Sequence, residues 1–404
     1  LYNASFYAGI TAGLFIMPDA PQMVFWTLSL WMLVRITKDA TNWVNWLLFA
    51  VAAGLCMMSK VHGVFIYFGL ALFIIIRRWQ WLKLAQLYVA TLISLLIVSP
   101  ILIWNIQNNF ASYRFHSARV KVDETVETLP FIREILQQLF YNNPLNVVLM
   151  LIAIVAGLRL GYKKLPALSL YNCIALPLAG ALLFVSLFKD ATLPHWSGPA
   201  YVTLVPAAAM YLAEKSKAPV WRQWIKWSLG TFIAILIAYT LLVQFYPGTL
   251  GKKELPHWGK GDNTLDVYGW KQAASDFKDF YAAEVQKGTM PANAPVVGYK
   301  WWAAHVDYYF CQPLNLQLIG LGTLNELHEY QWMNENRKGK VNFASAYCIV
   351  PSDEFYDVEQ KYGSYYSNIQ LVKTIETYRS NKPAHYFYVY RLTGWKAQPI
   401  PGVR

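Results

Sequence analysis

The sequence predicts a multispan α-helical membrane protein with a C-terminal soluble α/β domain. Three observations lead there. Hydrophobic residues make up 56% of the 404 and charged residues only 14%, which excludes an ordinary soluble domain. Apolar stretches such as Leu84–Trp104 and Trp224–Phe245 approach or exceed the ~20 residues that cross a bilayer. From about residue 247 the run Pro247-Gly248-Thr249-Leu250-Gly251-Lys252-Lys253 brings turn-forming and polar residues, and no later stretch is long enough to span.

Nine candidate membrane segments fall at about 1–17, 21–36, 43–59, 61–77, 84–104, 136–158, 167–187, 198–213 and 223–245. Several are short for a full span, which allows tilted or re-entrant paths. The chain opens with Leu1 inside an apolar stretch, without a signal peptide or charged first turn, so the expectation is a fragment whose N-terminal part is missing. Basic clusters mark one side: Arg35/Lys38, Arg77/Arg78/Lys83, Arg159/Lys163/Lys164 and Lys215/Lys217/Arg222/Lys226. Lys and Arg beside apolar segments stay cytoplasmic. Threading the chain between these clusters gathers Asp19, Lys60, His62, His116, Arg119, Lys189, Asp190 and His195 at the opposite, periplasmic face. Ionisable groups near membrane segments are costly without partners and mark function by default.

The net charge of +12 is unevenly shared: residues 1–246 hold 18 Lys+Arg against 8 Asp+Glu, and residues 247–404 hold 17 against 15. The basic excess therefore belongs to the membrane part and reports orientation. No basic stripe with interleaved aromatics points to nucleic acid. Cys56 and Cys173 read as small apolar residues of the membrane part. Cys311 and Cys348 lie in the tail, where an oxidising compartment would permit a disulfide between them.

In the tail, Trp270, Ala273, Ala274, Phe277, Phe280, Tyr281 and Val285 recur at helical spacing, predicting an amphipathic helix over 269–287. Strand-prone runs follow at 294–299, 315–318, 344–350, 369–376 and 385–392, with a helix at 301–310 between the first two. The 105–134 connection reads as a long loop on the translocated side, aromatic and basic enough to dock at the membrane surface.

Four short constellations carry the candidate chemistry. Asp19, in Met17-Pro18-Asp19-Ala20-Pro21, must meet water, a cation or a donor at this depth, or else serve as a helix cap. Lys60, in Ser59-Lys60-Val61-His62-Gly63, can bind a phosphate as a point charge or snorkel to the headgroups. His116 and Arg119 share a face if their loop is helical, and Arg presents a fork suited to phosphate oxygens. The alternative there is attachment to anionic lipid. His195-Trp196, in the loop Lys189–Tyr201, is either a further part of the site or an interfacial aromatic pair. No metal-ligand spacing, phosphate-binding glycine loop or GxSxG motif appears.

The series as a whole resembles the bacterial membrane glycosyltransferases related to protein O-mannosyltransferases and to the aminoarabinose transferase of lipid A, the GT-C class. The residues that carry the resemblance are Pro18-Asp19-Ala20-Pro21 running into Phe25-Trp26, Gly54-Leu55 to Ser59-Lys60, and Ser99-Pro100 to Trp104-Asn105. Phe115-His116 with Arg119, His195-Trp196 to Pro199-Ala200-Tyr201, and Gly269-Trp270 complete it. Each motif is short, and the specificity lies in their order along nearly the whole chain.

The resemblance implies a transmembrane glycosyltransferase domain at 1–246 and a periplasmic α/β domain at 247–404. It implies inverting transfer of a sugar from a polyprenyl-phosphate carrier to a cell-envelope acceptor, either lipid A, another glycolipid or a protein. In the resembling family Asp19 is the second acidic residue of the site, and Lys60 and Arg119, with His116 nearby, hold the carrier phosphate. The principal catalytic Asp is expected before Leu1, so the 404 residues alone are expected to be inactive. These motifs point to no particular cofactor, and a divalent cation stays open. Partners are the lipid-linked donor, the acceptor and membrane lipid, with no nucleic acid. Two other classes compete: a transporter of an anionic or lipid-linked substrate, which would place charges at the midplane within repeats, and a binding scaffold working through its tail.

Overall fold

A computed structural model describes residues 1–120, 128–159, 166–188, 192–215, 218–327, 329–337 and 341–398. The chain forms two compact units, Leu1–Leu236 and Ile237–Arg404.

The first unit is helical. Its helices are α1 (Asp19–Lys38), α2 (Trp43–Ser59), α3 (Val64–Arg77), α4 (Ala85–Gln107), α5 (Ala111–Val120), α6 (Thr128–Tyr141), α7 (Pro144–Arg159), α8 (Pro166–Ser186), α9 (Gly198–Lys215) and α10 (Ala218–Phe245), the last continuing into the second unit. Asn42 caps α2 by accepting from the Asn45 amide, and Arg35 and Lys38 in the last turn of α1 complement the negative end of its dipole. Helix α1 packs on α2, α2 on α4, α3 on α8 and α8 on α9. Glycines permit two of these approaches. A Cβ on Gly54 would stand 2.9 Å from Ile97 of α4, and one on Gly69 would stand 2.5 Å from the Ile174 backbone of α8. The buried core between them includes Trp26, Trp46, Phe49, Phe73 and Ile174.

Among the described residues three helices have the length and apolarity to cross a membrane: Ala85–Gln107, Ala167–Ser186 and Arg222–Phe245. Only 17% of the first and 6% of the last is buried inside the protein, so their apolar sides require a non-aqueous surrounding.

The expected nine segments need correction. Residues 1–17 form no continuous helix but a 3-10 turn at Tyr2–Ala4 and a π-helical turn at Tyr7–Thr11. The expected 136–158 segment is broken: Thr128–Tyr141 and Pro144–Ala156 meet at a bend of 100°. Asn143 makes the corner in a left-handed conformation (φ 68°), which Asn tolerates, and its amide donates to the Ala4 and Ser228 carbonyls at 2.8 Å each. The 105–134 connection is largely helical, since α5 and the start of α6 lie within it.

The second unit carries a five-stranded sheet of order β2-β1-β3-β5-β4, from β1 (Val296–Gly298), β2 (Leu318–Gly320), β3 (Ser345–Pro351), β4 (Tyr366–Arg379) and β5 (Lys382–Trp395). Strands β2, β1 and β3 run parallel, whereas β5 is antiparallel to both β3 and β4. The amphipathic helix α11 (Trp270–Gln286) buries Trp270, Ala273 and Phe277, as its spacing predicts. Phe277 meets Phe310 and Tyr347 edge-on or tilted at 5.6 Å. A short helix α12 (Ala303–Val306) runs into a π-helical turn, Asp307–Cys311. Cys311 and Cys348 are both free and buried rather than bonded, and Cys348 Sγ lies 3.3 Å from the Tyr356 hydroxyl.

Candidate active site

Asp19 opens α1, yet it does not cap the helix: Pro18 holds the cap position and no side chain caps the end. The carboxylate turns inward instead. Lys60 Nζ donates to Oδ1 at 2.9 Å and to Oδ2 at 2.8 Å, and the Tyr7 hydroxyl donates to Oδ1 at 3.1 Å. A buried carboxylate is tolerable only with such partners. The geometry follows from local structure. Lys60 has extended backbone directly after α2, one helical turn beyond Cys56, and Cys56 Sγ contacts the Gln22 carbonyl one turn into α1. Packing of α1 on α2 in this register sets Asp19 against Lys60.

Burial is unequal across the pair. The Asp19 side chain keeps 1% of its surface, whereas that of Lys60 keeps 16%. An incoming anion therefore reaches the ammonium before it reaches the carboxylate.

Tyr7 comes from the π-helical turn before α1, a position that sequence reasoning missed. Its ring lies against Gly198 at the head of α9, where any Cβ would collide with the ring carbons. Tyr7 also neighbours Tyr141 (6.4 Å between centroids), whose hydroxyl makes a short hydrogen bond with Thr11.

The remaining sequence-predicted residues are placed unequally. His62 sits in the 3-10 turn after Lys60. Trp196 is buried, with its ring 6.0 Å from that of His62. His195 is half-buried in the 3-10 turn Pro194–Ser197. His116 is exposed on α5, edge-on to Phe115 at 5.4 Å. Arg119 lies on α5 one turn past His116, but its side chain is outside the described residues, as are Lys189 and Asp190.

A second buried carboxylate, Glu134 of α6, was also missed. Oε1 accepts from Gln138 at 2.7 Å and Oε2 from Thr192 at 3.1 Å, while Tyr201 donates to Gln138 at 2.7 Å. The signal was weaker than for Asp19, since Glu134 stands beside Arg133 and close to Gln137 and Gln138 in the mixed stretch Phe131–Phe140. Among the described residues no group of three or more metal-ligating side chains converges, so the divalent cation left open by the sequence finds no cage there.

One family model matches the part of the chain that holds the Asp19–Lys60 pair. Residues 1–104 match the family model for dolichyl-phosphate-mannose-protein mannosyltransferase. No curated protein and no solved structure matches the chain. The matched stretch is about a quarter of the 404 residues, and it contains Tyr7, Asp19 and Lys60. With the long apolar helices, it supports a multi-pass membrane glycosyltransferase of the GT-C type.

Proposed function

We propose that this protein transfers a sugar from a polyprenyl-phosphate carrier to an acceptor of the bacterial cell envelope, with inversion at the anomeric carbon. Transfer breaks the bond from the anomeric carbon to the carrier phosphate oxygen and forms one to the acceptor oxygen, whose proton passes to a carboxylate. Asp19 is the described carboxylate for the reacting centre. Lys60 meets the developing charge on the departing phosphate, where fixed positive charge lowers the barrier most. Arg119 supplies a second, bidentate contact to that phosphate, with His116 beside it. His195 and Trp196 flank the site through His62. The observation that carries this reading is the sealed Asp19 carboxylate held by a partly accessible Lys60, within the family-matched stretch.

Lys60 donates to both carboxylate oxygens of Asp19. A Lys ammonium has three donors on a flexible stem, so it can keep one bond to Asp19 and turn the others to a phosphate. Donor binding then loosens the ion pair and makes the carboxylate more basic at the moment it is needed. The site and the C-terminal unit face the periplasm in this reading, from the distribution of basic loops.

The test is transfer itself. The full-length enzyme in detergent or membranes is given polyprenyl-phosphate-linked hexose and pentose donors, and envelope glycolipids are compared by mass spectrometry with and without the gene. Expected is a donor-dependent mass gain of one sugar. Uptake of the lipid-linked sugar into vesicles without such a gain would favour a transporter and sink the proposal.

A further inference from the structure

The second unit carries a groove of about 770 Å³ that the proposed reaction does not use. One wall is α11, through Lys271, Ser275 and Lys278, and the other is the π-helical turn, through Tyr308, together with Gln312 just beyond it. At about 100° per residue, Lys271, Ser275 and Lys278 fall on one face of α11, and seven residues separate the two lysines by about 10 Å along the axis. Asp276 falls well round the helix from that face. Asp279 is exposed beside that face, about 40° round from Ser275, but among the described residues neither lysine has an ion-pair partner, so both ammonium groups stay open to a ligand.

The opposite wall is aromatic and firmly held. Tyr308 is 61% exposed, an unusual display for a large ring, and stands edge-on to Tyr309 at 4.9 Å. Tyr309 stacks on His305, and His305 stacks on the buried Trp270 at 4.7 Å. Asp307, at the start of the turn, is buried and tied to Arg337 at 2.9 Å and to the Tyr330 hydroxyl at 3.1 Å. Turns of this π-helical kind recur at functional sites. Here one projects a rigid tyrosine across from two lysines.

We propose that this groove binds an anionic oligosaccharide, with a sugar ring on the Tyr308 face and phosphate or carboxylate groups on Lys271 and Lys278. Exposed tyrosine offers an apolar face with a polar tip, which suits a sugar ring, and lysine binds phosphate as a point charge. Ser275 and Gln312 supply hydroxyl and amide groups for the sugar hydroxyls. Nucleic acid is disfavoured because the tail is nearly balanced in charge, with 17 basic against 15 acidic residues over 247–404. This site stands independently of the Asp19 reading.

The experiment measures binding of four probes to the full chain in detergent: 6-phosphorylated maltotetraose, maltotetraose, inorganic phosphate and tetraglutamate. The phosphorylated sugar should bind at least tenfold more tightly than each of the others. Replacing Lys271→Gln and Lys278→Gln together, which keeps good helix formers on an exposed face, should cost at least tenfold. Tyr308→Ala should weaken the phosphorylated sugar severalfold and leave phosphate unchanged. Equal binding of tetraglutamate or phosphate would reduce the groove to a charge patch and overturn the sugar assignment. No difference between the double variant and the wild type would overturn the site altogether.

Discussion

Lys60 contacts both carboxylate oxygens of Asp19, at 2.8 and 2.9 Å, across 41 residues of sequence. Breaking a buried pair by removing one partner typically costs about 3–5 kcal/mol, because the remaining charge is stranded. Lys60 is partly accessible, so stranding it costs less than stranding Asp19. Lys60→Met should therefore destabilise the protein more than Asp19→Asn, and the two together should cost less than the sum of the single changes. Thermal unfolding of the four proteins reads this directly. In the transfer assay on the full-length enzyme Asp19→Asn should nearly abolish turnover. Normal turnover in a folded Asp19→Asn protein would leave the pair with a structural role only.

Tyr7 gives a finer test, because its hydroxyl can be removed without disturbing the pair. A hydrogen bond to a charged group contributes about 1.5–3 kcal/mol. Tyr7→Phe should therefore lower kcat roughly 10- to 100-fold if the bond orients Asp19 for reaction, with KM little changed. Gly198→Ala should produce the same split by a different route, since its methyl would displace the Tyr7 ring. A fall in KM-dependent binding with kcat preserved would assign Tyr7 to substrate contact instead.

How much of this was legible in the sequence depended on whether a residue contradicted its surroundings. Asp19 and Lys60 stood out as charges beside apolar runs, and the structure pairs them. Tyr7 did not, because a tyrosine in an apolar stretch is unexceptional and its role arises from a π-helical turn and a distant glycine. The break in the 136–158 segment was marked by Asn143-Pro144, a turn signal outweighed by the apolar residues on either side. In the tail, α11 and four of the five strands follow their residue patterns closely. Strand β2 starts three residues later than its β-prone run, because Asn315 adopts a left-handed conformation (φ 53°) that ends the preceding 3-10 turn.

Orientation can be read by labelling. Gln80 is exposed in the turn after α3, and Leu129 is exposed at the start of α6. With the basic loops cytoplasmic, a cysteine at Leu129 should react with an impermeant reagent added outside intact cells, and one at Gln80 should react only after lysis. The reverse pattern would place the Asp19 site on the cytoplasmic side, where a lipid-linked donor of the proposed kind would have to be presented from the other leaflet.

The tail supplies a pH prediction with a definite sign. Asp262 and Arg379 form a buried ion pair at 3.2 Å, and Arg379 also donates to Thr264, to the Gly248 carbonyl and to the Val243 carbonyl at the end of α10. Burial opposes the charge on Asp262, but hydrogen bonds from Thr264, from the Leu250 amide and from Thr249 outweigh it and hold the carboxyl below its ordinary range. A carboxyl whose folded pKa is depressed adds stability above its unfolded value, about 3.9, and loses it as pH falls through the folded one. Hydrogen exchange of the full chain, corrected for intrinsic rates, should show residues 248–264 fully protected from pH 7 down to about 4 and progressively open below. Asp262→Asn should open the same residues already at pH 7, at a cost of about 3–5 kcal/mol from stranding Arg379, and should flatten the response below pH 4. An acid opening that persists unchanged in Asp262→Asn would assign it to other carboxylates and leave the Arg379 network indifferent to protonation.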